Sequence, residues 1–216
     1  MDRWSAPFLG LGYFLSKPRL WGWALLATFI AFTLTLAVCI KVTTATYPPV
    51  PTFWPILRSL GWGLFTLILM IIFIFPLIFN ACFAKALAKE ENQTPGELWI
   101  SSFWVFLRTL KWRILWPLLL LATLLYLPPL IFPISLLAAN HLAVLESLDL
   151  SLTIFGLTAD QRVAWIKNHG TDCFAIALSG SLLALLLSLI LIGWLFWIPA
   201  LYCGTFLWVK NKIIPL

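Results

Sequence analysis

Charged positions along this chain are separated by long apolar stretches. Twenty-one uncharged residues lie between Arg19 and Lys41, 26 between Arg58 and Lys85, 32 between Arg113 and Glu146, and 37 between Asp172 and Lys210. A bilayer core of about 30 Å is crossed by roughly 20 apolar helical residues, so each run is long enough to enter a membrane. The first run predicts a spanning helix over about 20–40, opened by Pro18 where a missing N–H costs nothing. Prolines 48, 49, 51 and 55 then forbid regular helix. With Tyr47, Phe53 and Trp54, that stretch reads as a loop at the far interface. The second run predicts a span over about 60–84, kinked at Pro76, with its helix continuing through Lys85 to Glu90 before a turn at 92–96.

The last two runs have a different character. Pro117, Pro128, Pro129 and Pro133 interrupt the third, and a Pro-Pro pair cannot sit inside an ordinary helix. Broken backbone at membrane depth is tolerated only where protein buries it or it lines a wet cavity. Two helices meeting at Leu127–Leu130 and returning to their starting side meet that condition, giving a membrane-dipping hairpin over about 114–140. Thirty-seven helical residues in the fourth run would reach about 55 Å, nearly twice the core. A break around Gly193 to Pro199 predicts a second hairpin over about 173–209, with two tight full spans as the alternative. Before the third run, Trp99, Phe103, Phe106, Leu107 and Leu110 recur at helical spacing, with Arg108 and Lys111 between them. This predicts an interfacial helix over about 98–112, or equally a helix packed on its neighbours. The fold class is therefore an all-α integral membrane protein with two long transmembrane helices plus two proline/glycine-broken re-entrant helical hairpins, in one multi-pass domain over 1–216.

Composition agrees with the pattern. The 216 residues are 62% hydrophobic and 10% charged, with mean hydropathy +1.00, against roughly 45–50% apolar and about 25% charged in soluble domains. A secreted domain, a soluble enzyme and a disordered tail are excluded. The net charge of +6 arises from 14 Lys+Arg against 8 Asp+Glu, which on a membrane protein indicates the positive-inside bias and anionic lipid rather than nucleic acid. With two spans and two returning hairpins, only Lys41 and Arg58 lie on the far side, and both termini are cytoplasmic. The first span is expected to stay uncleaved, because 21 residues exceed a signal peptide's apolar region.

Candidate chemistry is sparse. GxSxG, HExxH and P-loop motifs are absent from the sequence, so no catalytic residues, cofactor or metal site are expected. His141 and His169 are 28 positions apart and read as interface residues. Cys39, Cys82, Cys173 and Cys203 sit singly in apolar runs and read as small apolar side chains. Lys17 and Arg19 stand at the mouth of the first span, where a cation either receives an anion or sets orientation. Asn80, deep in the second span, needs a partner for its amide, as helix–helix glue or as a substrate contact. Glu146 and Asp149 share one helical face and are expected to form a structural ion pair with Arg113 or Arg162. Ala177, Gly180, Ser181, Ala184 and Ser188 form a small-residue stripe for close helix packing, with self-association as its sharper version.

The order of these features resembles the CysZ-type sulfate permease family, related to the etoposide-induced membrane proteins. Four stretches carry the likeness: GLGYFLSKPRLWGW at Gly10–Trp23, NACFAKALAKEE at Asn80–Glu91, Pro128–Asp149 ending in LESLDL, and Leu157–Val209 ending with Pro199, Gly204, Trp208 and Val209. Where that family typically carries Gly-Leu-Arg after the first Pro, with the Arg implicated in its sulfate site, this chain has Arg19, Leu20 and Trp21. Arg19 is thus the available substitute. The resemblance implies two long spans, two dipping hairpins, a homo-oligomer in the bilayer of a bacterial inner membrane, and transport of a small inorganic anion through Lys17, Arg19 and Asn80. The alternative is a non-transporting membrane scaffold or assembly factor of the same fold.

Overall fold

The computed structural model describes residues 2–47, 53–69, 75–91, 98–189 and 194–213. Among them no strand occurs. Nine α-helices follow in order: α1 (Ala6–Leu15), α2 (Pro18–Thr46), α3 (Phe53–Leu69), α4 (Phe75–Glu90), α5 (Leu98–Tyr126), α6 (Ile131–Ile154), α7 (Ala159–Asn168), α8 (Gly170–Ser188) and α9 (Trp194–Ile213). A 3₁₀ turn, Pro128–Leu130, joins α5 to α6. Three of these helices, α2, α6 and α8, are long and apolar enough to cross a bilayer. The chain is an all-α protein of multi-pass membrane character.

It divides into two compact units, Gly22–Phe83 and Met1–Trp21 with Ala84–Leu216. In the smaller unit, α2 and α3 are joined by polar contacts. The Ser59 hydroxyl donates to the Thr43 carbonyl at 2.9 Å and lies 3.0 Å from the Thr46 hydroxyl. Gly63 sits directly against the Thr43 side chain, where any Cβ would collide. Ala24, Ala27 and Ala31 repeat at helical spacing along the buried side of α2, while Leu25, Leu26, Phe29, Ile30 and Phe32 are exposed on its other faces. Phe79 stacks on Phe83 at 5.2 Å. Residues 70–74, inside the second expected span, lie outside the described residues, as do 48–52 of the expected proline loop and the turn at 92–96; the ends of that loop are helical instead, Lys41–Thr46 closing α2 and Phe53, Trp54 and Pro55 opening α3.

The larger unit is built around α6, which packs on α5, α8 and α9. Its apolar core includes Val144, Leu145, Leu148 and Leu152 of α6, Cys173, Ile176 and Ala177 of α8, and Leu201, Trp208 and Val209 of α9. The short helix α1 lies along α9 with its Ala6, Pro7, Gly10 and Phe14 side buried. Ala6 and Gly10 meet Ala200 and Gly204 so closely that a Cβ on Gly10 would strike the Ala200 carbonyl and the Gly204 amide. Only glycine lets the two backbones touch there. Gly156 makes the turn between α6 and α7 with φ +77°, a conformation that costs a side-chain-bearing residue about 1 kcal/mol or more.

Several expectations need adjustment. The segment expected as a separate interfacial helix over 98–112 is the first half of α5, which runs unbroken to Tyr126 with Pro117 inside it. A proline in a helix costs a hydrogen bond without ending it where neighbours hold both halves, and here α6 packs along α5. The break between α5 and α6 does fall at Leu127–Leu130, where the Leu130 N–H closes a tight turn on the Leu127 carbonyl at 2.9 Å. In the fourth run, Pro199, expected in the break, lies within α9, while Gly193, at the start of that expected break, lies outside the described residues.

Candidate functional site

The ionisable residues of the α5–α6–α7 region are brought together in pairs. Glu146, Asp149 and Thr153 recur at three- and four-residue spacing along one face of α6. Arg113, one turn before Trp116 on α5, pairs with Glu146 and lies over the Phe106 ring at 4.3 Å. Thr158 caps α7 reciprocally with Gln161, which starts the helix at an angle that returns Arg162 to α6. Arg162 is 1% exposed. Its guanidinium donates to Asp149 at 2.5 Å and to the Thr153 hydroxyl at 2.5 Å. Such buried pairs offset their own desolvation only when the geometry is good, and removing one partner costs about 3–5 kcal/mol. A third pair, Arg108–Asp160, ties α5 to α7 at the surface.

Six residues before Glu146, toward the α5–α6 turn, α6 presents Asn140, fully buried. Its amide donates to the Leu136 carbonyl at 2.8 Å and to Ser181 of α8 at 3.1 Å. Its oxygen accepts from the indole of Trp197 of α9 at 2.8 Å. One side chain therefore ties three helices. Gly180 makes room for it, since an added Cβ would stand 2.9 Å from Leu201 and 3.1 Å from the Asn140 oxygen. Next along α6, His141 accepts at Nδ1 from the Trp116 indole at 3.0 Å, which puts the proton of the neutral ring on Nε2. His141 is buried inside the helical packing. His169 lies at the α7–α8 joint, stacked on Trp165 at 4.0 Å and edge-on to Trp208 at 5.9 Å. Of the small-residue stripe, Ala177, Gly180, Ser181 and Ala184 are buried within this packing and Ser188 is exposed.

The proposed anion residues are placed differently. Arg19 is exposed. Lys17 has its ammonium 3.5 Å from Glu90 and 5.9 Å from the Tyr13 ring centroid. The side chain of Asn80 lies outside the described residues. Beside Lys17 is a group that sequence reasoning did not assemble. Glu91 accepts from the Tyr13 phenol at 2.7 Å on one oxygen and from Lys210 at 2.5 Å on the other. Burial pushes the Glu91 carboxyl up, but the bonds from Lys210 and Tyr13 outweigh it and hold it below the usual carboxylate value. The same burial, with the carboxylate against it, pushes the Tyr13 phenol well up. Residues 13, 17, 91 and 210 come from three distant stretches of the sequence, and only the tertiary structure joins them.

Among the described residues, no group of three His, Cys, Asp or Glu side chains is placed to hold a metal ion, and the four cysteines are free. No family model, curated protein or solved structure matches the chain.

Proposed function

We propose that this chain is a CysZ-like membrane transport protein giving a small inorganic anion a path through the bilayer, with two helical hairpins that dip into the membrane and return. One observation carries this reading: the α5–α6 turn and the end of α8 are free of charge, apolar and exposed. Leu125, Tyr126, Leu127, Leu130 and Phe132 are exposed around the first turn and Leu189 at the end of α8. A turn emerging into water has no reason for such a surface, and one ending in hydrocarbon does. Distances along the helices agree. Arg113 to Tyr126 spans 13 residues, Ile131 to Glu146 15, Asp172 to Ser188 16 and Trp194 to Lys210 16. At 1.5 Å per residue these uncharged arms reach about 20–24 Å, short of a core of about 30 Å, although α6 and α8 over their whole lengths could cross it. Hairpins that stop inside a membrane bring backbone dipoles and polar side chains to the depth where an ion must lose water.

The order of the elements supports the same reading: a short helix, a Pro-basic start to a long helix, a proline-turned hairpin, a capped basic helix and a second hairpin. Arg19 and Lys17 stand at the start of α2, where positive charge concentrates anions. A second reading, a scaffold that organises lipid or an assembly partner, is favoured by the buried pairs Arg113–Glu146 and Arg162–Asp149, whose charges are spent on each other.

Flux separates them. Purified protein in liposomes is expected to release sulfate or chloride, and Arg19→Ala is expected to slow release by about tenfold, the lower end of electrostatic focusing. Flux unchanged by Arg19→Ala removes Arg19 from the path. No flux of any anion from folded protein leaves the scaffold.

A further inference from the structure

The contacts of Glu91 describe a receptor for an oxyanion. A carboxylate there receives a phenolic O–H at 2.7 Å on one oxygen and an ammonium at 2.5 Å on the other. The adjacent Glu90 stands 3.5 Å from a second ammonium, that of Lys17, and Lys17 also acts electrostatically on Glu91. Three donors from α1, the α1–α2 joint and the end of α9 therefore converge on two neighbouring carboxylates at the end of α4. The donors are rigidly founded, because α1 is pressed on α9 through Gly10 and Gly204. They are also reachable, with Lys17 39% and Lys210 42% exposed. A sulfate or phosphate presents the same feature the donors now hold, anionic oxygens a short distance apart.

We propose that Tyr13, Lys17 and Lys210 form a binding site for a small oxyanion, closed in this structure by Glu90 and Glu91 as tethered occupants. The two acids and two bases sum to no net charge, so the closed site neither attracts an anion strongly nor leaves its cations bare. An oxyanion that binds displaces the carboxylates, and the end of α4 is released from α1 and α9. Occupancy is thereby linked to the position of α4. This deepens the transport reading and places anion recognition on these donors, with Arg19 as an approach charge. The binding arm of the test stands without transport.

Glu91→Gln keeps the side-chain shape, still accepts from Tyr13, and leaves one positive charge in excess. In lipid-free detergent, equilibrium dialysis against labelled sulfate is expected to show about tenfold tighter binding by Glu91→Gln than by the unaltered protein. That is the gain if the open site is populated about one part in ten. Lys210→Met in the Glu91→Gln background is expected to abolish this gain, and Lys210→Arg to retain it. Near-ultraviolet circular dichroism establishes that each variant is folded, and a Glu90→Gln variant repeats the test from the neighbouring position.

Sulfate binding equal in the unaltered protein, Glu91→Gln and Glu90→Gln overturns the proposal, whatever the flux assay gives. Flux in liposomes that ignores these variants but depends on Arg19 also overturns it, and leaves the transport reading standing. Tighter binding without flux supports the site and defeats transport. Adding phosphatidylglycerol vesicles to the dialysis distinguishes the source of the oxyanion. Displacement of bound sulfate assigns the site to lipid phosphates, and persistence assigns it to the free ion.

Discussion

Glu91 shows how one residue acquires a role that its neighbours in sequence do not indicate. In the chain it is the second of two acids closing a helix, ordinary in a soluble turn. In the fold it joins Tyr13 of α1 to Lys210 of α9. Its carboxyl titrates below the ordinary value of 4.5, so the native state binds its proton less tightly than the unfolded chain. The stability it contributes is fully present above the ordinary value and is lost as pH falls through the native one. Tyr13 is shifted the other way, up from 10.0, so its contribution is present below that value and declines as pH rises past it. Docking of α1 is therefore expected to be firm between about pH 5 and 10. Hydrogen exchange, corrected for its intrinsic pH dependence, should show α1 amides losing protection below the carboxylate range while α6 amides keep theirs. Equal acid sensitivity in Glu91→Gln would exclude the carboxylate as the cause.

At the scale of elements, the contacts that decide the structure are close helix crossings and polar ties between apolar helices. Between helices in lipid the apolar driving force is weak, so small residues and hydrogen bonds set which helices pair. Ala6 and Gly10 against Ala200 and Gly204 are one such crossing, and the four-residue spacing on both helices was readable as a small-residue pattern. Asn140 with Ser181 and Trp197 is another tie. Nothing in the sequence near Asn140 separates it from the other polar residues of the apolar runs, because its partners arrive from positions 41 and 57 residues away. Gly10→Val must push α1 away from α9, since the atoms it meets are backbone and cannot rotate aside. The expected loss is about 2 kcal/mol or more, in the range of overpacked cores, read as a lowered Tm in detergent. An unchanged Tm would mean that α1 contributes little to the larger unit.

In the larger unit the α5–α6 turn lies apart from the ion pairs. Ion pairs tie α5 to α7 and α6 to α7, and join the chain start to α8 through Arg3 and Asp172 at 2.5 Å. The α5–α6 turn carries exposed leucine and tyrosine, with Phe132 exposed just beyond it. If that turn ends within the bilayer, Tyr126→Cys, in a variant lacking Cys39 and Cys82, should resist a membrane-impermeant maleimide from both sides of a vesicle. Rapid labelling from the side opposite the termini would instead make α5 and α6 full crossings. That outcome would also move their turn out of any anion path.

Helical class and membrane character follow from the sequence by itself, because runs of 21 to 37 uncharged residues admit only structures that satisfy their own backbone in hydrocarbon. The position of the α5–α6 turn follows too, since two consecutive prolines leave little choice. Which acid faces which base was open along the chain, where Arg113 and Arg162 were both candidates for Glu146 and Asp149. The tertiary structure gives Arg113 to Glu146 and Arg162 to Asp149, because the α5–α6 turn and the capped start of α7 set the level of each. It alone unites Tyr13, Lys17, Glu90, Glu91 and Lys210. Local patterns encode periodicity and breaks, whereas a site built from five residues at the ends of three helices depends on the crossings between them, and those are set by shape.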